Sequence, residues 1–168
     1  MHPDAARWIE RLRLERHPEG GWFRETYRSP ERLEEPGAPG TGGGPRALAS
    51  AIYFLLDGAD FSAFHRLRSD ELWHFHAGSA VLLVAIDEAG RLRSFTLGCD
   101  AERGETPQVR IKAGWWYAAR LEDPESYALA GCTVSPGFEF ADWELARREE
   151  LEAQFPQHAR VIGELTRA

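Results

Sequence analysis

Two β-strands joined by a tight polar turn are predicted for the segment Phe64-His65-Arg66-Leu67-Arg68-Ser69-Asp70-Glu71-Leu72-Trp73-His74-Phe75-His76-Ala77-Gly78. The segment contains three of the six histidines in the chain. Histidine, carboxylate and aromatic side chains at such short spacing are candidates for a binding or catalytic site. This segment is therefore the candidate centre of both the fold and the site.

Short apolar runs continue along the chain on both sides of this segment and are separated by turn signals such as Asp57-Gly58 and Ser135-Pro136-Gly137. Many short strands at this spacing predict a mainly β fold, a sandwich or a barrel, rather than βαβ units. Strands that are apolar on both faces, such as 81–86, need covering by the interior and by another layer or subunit. The runs are 47–56, 60–67, 71–77, 79–86, 91–97, 108–113, 115–121, 126–134 and 138–143.

The N-terminal part of the chain predicts a short amphipathic helix over residues 4–14, with Asp4 as its N-cap, followed by a strand over 22–28. Residues 34–46 are nearly all glycine, proline and small or charged residues, which is typical of a flexible surface loop. The 33 residues before this loop are too few for a core of their own, so we expect one domain over residues 1–168.

The C-terminal part of the chain predicts two short helices. The pattern becomes helical from about Glu144, and Pro156 ends the first amphipathic helix. A second helix is expected from His158 to Leu165. The predicted barrel is therefore flanked by short helices at both ends of the chain.

The charge balance excludes several classes of partner. The chain has 27 acidic and 20 basic residues and a net charge of −7, which opposes binding to nucleic acid or to an anionic membrane surface. We see no apolar stretch of about 18 residues that could span a membrane. Cys99 and Cys132 have no spacing typical of a disulfide framework, which favours a reducing, cytoplasmic setting.

Part of the segment quoted above resembles the first motif of the cupin superfamily, which runs Gly, five residues, His-x-His, three or four residues, Glu, six residues, Gly. His65, Glu71 and Gly78 fall into this register, whereas Leu67 replaces the second histidine. The second motif, Pro-x-Gly-x-x-His-x-x-x-Asn, is similar to residues 112–121, where the glycine is kept but the proline, the histidine and the asparagine are not. Of the four usual metal ligands only two remain, and a transition metal needs three or four protein donors.

A closer resemblance, over residues 12–145, is to an uncharacterised branch of the cupins, a domain of unknown function. This resemblance implies a jelly-roll barrel, a homodimer and a pocket inside the barrel. It also implies a fold similar to that of nucleotide-sugar epimerases and seed storage proteins, and it brings no settled activity. The stretches that carry it are 17–28, 51–56, 69–78 and 134–140.

The alternation of side chains along a strand gives two exclusive hypotheses for the second strand of the segment. Glu71 shares one face with Trp73 and Phe75, whereas His74 and His76 share the other face with Leu72. If Glu71 points into the barrel, as the cupin register implies, the two histidines point outward to covering elements or a dimer partner. If His74 and His76 point inward, His65 could complete a three-histidine metal site.

Candidate catalytic residues are His65, Glu71 and Tyr117. His65 has the same face as Phe61 and Ala63, expected to be the interior, and could act as a base that titrates near neutrality. Tyr117 or Tyr53 could act as the acid. A structural role for each of these residues is the alternative.

Candidate ligand-binding residues are of two kinds. The aromatic residues Tyr53, Trp73 and Phe75 could line a small-molecule pocket or fill the core. Arg24 and Arg120 could hold an anionic substrate or could be surface charges.

Three functions remain open at this point: a metal-independent sugar or nucleotide-sugar isomerase or epimerase, a non-catalytic small-molecule binder, and a metal-dependent oxygenase or isomerase. We expect a small-molecule ligand and no cofactor, with a divalent transition metal as the alternative.

Overall fold

Antiparallel β-strands dominate the fold, as the short apolar runs predict. The computed structural model describes residues 1–34 and 44–167. The helices are α1 (Pro3–Leu12), α2 (Arg148–Gln154) and α3 (Ala159–Glu164). The strands are β1 (Glu15–Arg16), β2 (Trp22–Arg28), β3 (Arg32–Leu33), β4 (Arg46–Ala47), β5 (Ser50–Asp57), β6 (Phe61–Leu67), β7 (Asp70–Gly78), β8 (Val81–Ile86), β9 (Leu92–Leu97), β10 (Gln108–Ile111), β11 (Trp116–Leu121), β12 (Tyr127–Ser135) and β13 (Trp143–Leu145).

Two sheets face each other across a shared interior, which confirms the predicted mainly β barrel with short terminal helices. One sheet has the strand order β1-β2-β5-β12-β7-β10 and the other the order β13-β6-β11-β8-β9. The polar turn at Arg68 and Ser69 takes the chain from β6 in one sheet to β7 in the other. His65 and Glu71 are therefore contributed by opposite sheets, although only six positions separate them in the sequence.

The doubly apolar strand β8 is covered on both faces, as its sequence predicts. Val81, Leu83 and Ala85 belong to the core between the two sheets. Val84 and Ile86 pack in a second cluster with residues of α2 and α3. The second layer is thus made by the C-terminal helices of the same chain.

Helix α1 covers part of the outer face of the six-stranded sheet, where Ala5 packs with Leu55 and Leu129. The predicted N-cap at Asp4 is wrong by two positions, because Asp4 lies inside the first turn and His2 caps the helix. The His2 Nδ1 atom accepts a hydrogen bond from the Asp4 N–H at 3.2 Å. No helix in the described part of the chain is both long enough and apolar enough to span a membrane.

The predicted helix start at Glu144 is also wrong. Residues 143–145 form β13, which pairs with the edge of β6 so that Trp143 lies opposite Leu67 and Leu145 opposite His65. Pairing satisfies the backbone groups of the β6 edge, and this outweighs the local helical spacing. The helix starts instead at Arg148.

The predicted loop at 34–46 falls largely on residues 35–43, which lie outside the described residues. Its last position differs from the prediction, because Arg46 forms the β4 ladder with Leu33. The Arg46 side chain is buried and its Nε atom lies 2.7 Å from Asp142 Oδ2.

Candidate functional site

A cavity of about 110 Å³ opens at one end of the barrel interior. The six-stranded sheet contributes Glu71 and Cys132 to its wall, and the five-stranded sheet contributes His65 and Tyr117. The chain between β1 and β2 adds His17 and Glu19. Most of the remaining wall is apolar, and includes Phe23, Ile52, Leu67, Val134, Phe138, Phe140 and Trp143.

Glu71 projects from the start of β7 into this cavity and is only 6% exposed. Its Oε2 atom accepts a hydrogen bond from Trp73 Nε1 at 2.7 Å and a second, very short one from the Tyr117 hydroxyl. Its Oε1 atom has no hydrogen-bond partner among the described residues and is not enclosed by protein. One carboxyl oxygen is therefore fixed and the other faces the cavity.

Burial raises the pKa of Glu71, because the interior penalises the ionised carboxylate. The hydrogen bond from Tyr117 and the proximity of His65 oppose this effect, and the second carboxylate, Glu19, adds to it. Burial also raises the pKa of Tyr117 well above its usual value, with the charge of Glu71 acting in the same direction. Tyr117 is thus a neutral phenol that donates to Glu71.

His65 and Glu19 form a second buried pair beside Glu71. The His65 Nδ1 atom lies 2.7 Å from the Ala63 carbonyl oxygen, which can only accept, so Nδ1 carries a hydrogen. The Nε2 atom lies 3.3 Å from Glu19 Oε2. With the hydrogen on Nδ1, the contact between Nε2 and Glu19 Oε2 is an ion pair only when His65 is protonated.

Glu19 is held in place by polar side chains from three elements. Its Oε1 accepts from the Ser62 hydroxyl at 2.8 Å, and its Oε2 accepts from Trp143 Nε1 at 3.1 Å. His17 Nδ1 lies 3.5 Å from the same Oε2. Each of these contacts joins residues far apart in the chain or a tight turn, so the folded barrel assembles the cluster.

Burial moves the pKa values of these carboxyl and imidazole groups toward each other. It raises the pKa of Glu19, which His17 and the hydrogen bond from Ser62 partly offset. It lowers the pKa of His65 and of His17. Burial therefore favours the uncharged form of each of these groups.

The mouth of the cavity is lined by an arginine and two carboxylates. Arg28 Nη2 lies 2.7 Å from Glu25 Oε2, and Arg28 Nη1 lies 2.9 Å from Glu139 Oε1. Arg28 also donates to the Phe138 carbonyl oxygen at 3.0 Å. Next to this network the Phe140 ring is 54% exposed. The guanidinium is thus committed to the protein's own acceptors.

The three predicted catalytic residues, His65, Glu71 and Tyr117, come together in this cavity. The centroids of the His65 and Tyr117 rings are 4.1 Å apart. Trp73 and Phe75 also point into the barrel, where Trp73 binds Glu71 and both pack in the core deeper than the cavity. Their positions agree with the core alternative.

Three predicted ligand-binding residues lie away from the cavity. Tyr53 is on the outer face of the six-stranded sheet, packed in the cluster beneath α1. Arg24 is exposed on the same face and donates to the Leu12 carbonyl oxygen at 2.9 Å. Arg120 is exposed and lines a shallow surface groove. The alternation of strand side chains separates all three from the interior.

His74 and His76 point outward, which selects one of the two strand hypotheses. His74 contacts Gln108 and Thr133 on neighbouring strands, and the ring of His76 packs against Tyr53 at 5.8 Å. The alternative metal set of His65, His74 and His76 is therefore not brought together, because the sheet separates His65 from the other two.

The residues at the cavity do not fit a cupin metal centre either. Leu67 stands where the family motif has its second histidine, and Tyr117 is a protonated phenol. His65 has both ring nitrogens engaged by Ala63 and Glu19. Among residues 1–34 and 44–167, no three His, Cys, Asp or Glu side chains are arranged to hold a metal ion.

Sequence reasoning missed His17 and Glu19, because the run His17-Pro18-Glu19-Gly20-Gly21 is typical of a turn. The available signal was a histidine and a carboxylate next to two glycines. Gly20 has φ +113°, and a Cβ there would lie 2.1 Å from the Phe61 carbonyl oxygen. The glycine thus lets this turn approach β6 closely enough for Glu19 to reach His65 and Ser62.

The chain matches a family model over most of its length. The model for the Cupin superfamily (DUF985) matches residues 6–146. A curated relative, the uncharacterized protein YML079W of Saccharomyces cerevisiae, is 29% identical over 151 residues, which are 84% of this chain and 75% of the yeast protein.

Solved structures give the same result. Protein SO0799 from Shewanella oneidensis is 40% identical, with a TM-score of 0.87 and coverage of 99% of this chain and 98% of that one. A hypothetical protein from Leishmania major is 34% identical, with a TM-score of 0.86 and coverage of 98% and 99%. Oxalate decarboxylase from Bacillus subtilis is 16% identical, with a TM-score of 0.57, and this chain covers 36% of it. The last likeness concerns the fold alone.

Proposed function

The chain belongs to the Cupin superfamily (DUF985), and within that family we propose that it binds a small organic molecule in the barrel cavity and exchanges a proton with it through Glu71, without a metal. The observation that carries this proposal is the asymmetric environment of the Glu71 carboxyl group. Trp73 and Tyr117 hold one oxygen, and the other oxygen faces the cavity without a partner among the described residues.

The size and lining of the cavity support a ligand of about the size of one ring. An apolar protein cavity of about 150 Å³ binds benzene, and the cavity here has about 110 Å³ with a mostly apolar wall. A nucleotide-sugar could place only a small part of itself inside. The hydroxyl groups of a sugar would also find few free hydrogen-bond partners. Glu19 already contacts His65 and Ser62, and Tyr117 already donates to Glu71.

Glu71 is better placed than His65 to exchange a proton with a ligand. Both nitrogens of His65 have partners, so a base role for this residue would require breaking its contact with Glu19. Glu71 has a raised pKa and an accessible oxygen. Proton exchange with a bound molecule is the elementary step of isomerases and epimerases, and it distinguishes this proposal from a passive binder.

A metal-dependent reaction is less well supported by the donor set. Only His65 and Glu71 remain of the cupin ligands, and both are engaged by neighbouring groups. A cytoplasmic location and a homodimer are further parts of the proposal. Cys99 and Cys132 are both free thiols, which agrees with a reducing compartment.

The test uses the indole N–H signals of the chain's tryptophans in NMR spectra of chelator-treated protein. Trp73 and Trp143 donate to Glu71 and Glu19, two of the carboxyl groups of the cavity. Trp8 on α1 and Trp22 on β2 pack in the cluster between α1 and the outer face of the six-stranded sheet and serve as internal controls. Cyclohexanol, cyclohexanone and cyclohexylamine are the ring-sized probes. We expect a saturable shift of the Trp73 and Trp143 signals with at least one probe and no shift of the controls.

Two results would contradict the proposal. If no probe shifts the Trp73 and Trp143 signals, or if the control signals shift instead, the cavity is not the binding site. If none of the probes that bind shows an affinity that depends on pH in the wild type, Glu71 exchanges no proton with them, and the protein is a passive binder.

A further inference from the structure

Acidic side chains outnumber basic ones in the lining of the cavity. Its lining includes the carboxylates Glu19, Glu25, Glu71 and Glu139, and Arg28 is the one guanidinium among the described lining residues. Arg28 is already paired with Glu25 and Glu139. Burial lowers the pKa of the cavity histidines and raises the pKa of Glu19 and Glu71. The histidines therefore supply no cation, and the two buried carboxyl groups ionise as pH rises or when a cation binds beside them.

A negative lining disfavours anionic ligands. A carboxylate, phosphate or nucleotide-sugar inside the cavity would lie beside Glu71, and the described lining residues offer it no cationic side chain other than the paired Arg28. Arg24 and Arg120, the residues that the sequence offered for an anionic substrate, lie elsewhere on the surface. The cavity therefore selects between neutral and cationic molecules.

The free oxygen of Glu71 decides between these two classes. A carboxylate that is nine-tenths buried and has an unpartnered oxygen gains most from a charged hydrogen-bond donor. The other wall residues include the aromatic rings of Phe23, Phe140 and Trp143, whose faces attract ammonium groups. The free oxygen of Glu71, as a buried acceptor beside apolar and aromatic side chains, matches a ring-sized molecule that carries one amine.

We propose that the natural ligand of this cavity is a small, mainly apolar organic amine, bound as an ammonium ion that donates a hydrogen bond to Glu71 Oε1. This proposal rests on the cavity being the binding site, as proposed above. The charges balance in either protonation route. An ammonium ion that meets a protonated Glu71 displaces that proton to solvent, and a neutral amine takes the proton from Glu71.

The same geometry gives the direction of the pH dependence. The groups that face Glu71 are Tyr117, His65, Glu19 and Cys132, and of these none carries a free positive charge that could replace the ammonium ion. An ammonium ion binds the ionised form of Glu71. Its affinity is therefore expected to rise with pH until Glu71 is fully ionised, whereas the affinity of a neutral ring alcohol should show no such rise.

The experiment compares three molecules with the same ring: cyclohexylamine, cyclohexanol and cyclohexanecarboxylate. Affinities are measured from the Trp73 and Trp143 signals in the wild type and in the Glu71→Gln variant, with Glu10→Gln on the exposed face of α1 as the matched control. In the wild type we expect the amine to bind at least about tenfold more tightly than the alcohol, and the carboxylate not to bind. In Glu71→Gln the preference for the amine should disappear, while the alcohol keeps its affinity within about threefold.

Each outcome separates the two proposals. If the alcohol binds as tightly as the amine, or if Glu71→Gln keeps the preference, the amine proposal is wrong and the cavity site stands. If the carboxylate binds best, the charge argument is wrong. If none of the three molecules shifts the two cavity signals, the proposed binding function itself fails. Should Glu71→Gln not fold, the pH dependence in the wild type decides, because an amine affinity that does not rise with pH contradicts the proposal.

Discussion

The barrel interior has two ends that share the same strands but differ in chemistry. At the closed end Val81, Leu83 and Leu97 fill the space and are at most 1% exposed. At the open end the same sheets present ionisable side chains around a cavity. Along β7 the interior changes from apolar core to ionisable site within two positions, because Trp73 packs in the core and Glu71 lines the cavity.

This difference separates the part of the interior that stabilises the fold from the part suited to binding. Burial of apolar surface at the closed end contributes to stability, whereas burial of Glu19, His65 and Glu71 penalises their charged forms. The open end can keep such groups because the closed end and the outer helices hold the two sheets together.

The largest effect is expected for a cavity made at the closed end. Leu83 is fully buried, so Leu83→Ala should lower the free energy of unfolding by about 2–5 kcal/mol, as measured by urea denaturation. Leu92→Ala on the adjacent β9, where Leu92 is 40% exposed, should cost about 1 kcal/mol or less. If the two variants lost similar amounts of unfolding free energy, Leu83 would not belong to a core that stabilises the fold more than the surface does.

Whereas Leu83→Ala lowers the free energy of unfolding, Glu71→Gln at the open end should raise it relative to the wild type as the pH increases. The folded protein holds the Glu71 proton to a higher pH than the unfolded chain does, so the wild type loses stability as pH rises above the ordinary value of 4.5. Glutamine has no such proton to lose. Between about pH 5 and about pH 8 the variant should therefore gain stability relative to the wild type, by about 1.4 kcal/mol for each unit by which the pKa is raised.

Denaturant unfolding at the two pH values measures this difference, and Glu10→Gln on the surface is the control. His17 and His65 have lowered pKa values, which give the opposite pH dependence in both proteins. Loss of the Glu71 charge lowers the pKa of His65 further, which adds to the gain of the variant with rising pH. A stability difference between variant and wild type that stays constant or falls with pH would show that burial does not raise the pKa of Glu71.

A smaller effect is expected for Tyr117→Phe, which removes one of the two hydrogen bonds to Glu71 Oε2. The loss should be about 1 kcal/mol of unfolding free energy. The hydrogen bond favours the ionised carboxyl group, so its removal should raise the pKa of Glu71 further. Tyr27→Phe at an exposed position of β2 is the matched control. An unchanged or lower Glu71 pKa in Tyr117→Phe would contradict this assignment of the proton.

The smallest effect is expected on the outside of the same strand. His74 binds Gln108 and Thr133 on the outer face of the sheet, so His74→Ala should lower the unfolding free energy by about 1 kcal/mol or less. The affinity of cyclohexylamine, followed by the Trp73 and Trp143 signals, should not change. A loss of ligand binding in this variant would link the outer face to the site, against the strand geometry.

Sequence patterns predicted the fold well because the strand signals are local. The apolar run at 81–86 needs covering on both faces, and the barrel and its helices provide that covering. The predicted bounds of the C-terminal helices were less accurate, because the pairing of Trp143 with Leu67 makes residues 143–145 a strand. That contact joins residues from distant parts of the chain and leaves no trace in local spacing.

The candidate site was predicted only in part. His65, Glu71 and Tyr117 came from the family register and lie together. Glu19 is 46 positions from His65, and only the folded barrel brings the two residues into contact. A proline and two glycines around Glu19 indicate a turn correctly, but the sequence does not show what the turn packs against. The charge of the cavity depends on Glu19, so the ligand class could not be read from the sequence.

The central claim is that Glu71 is a buried acid whose free oxygen receives the ligand. The most direct test is a ¹³C NMR titration of the Glu71 carboxyl carbon in the free protein and with saturating cyclohexylamine. We expect a titration midpoint above the ordinary value of 4.5 in the free protein and a lower midpoint with the amine bound, because the ammonium ion stabilises the carboxylate. A midpoint at or below the ordinary value in the free protein, or one that cyclohexylamine leaves unchanged, would contradict it.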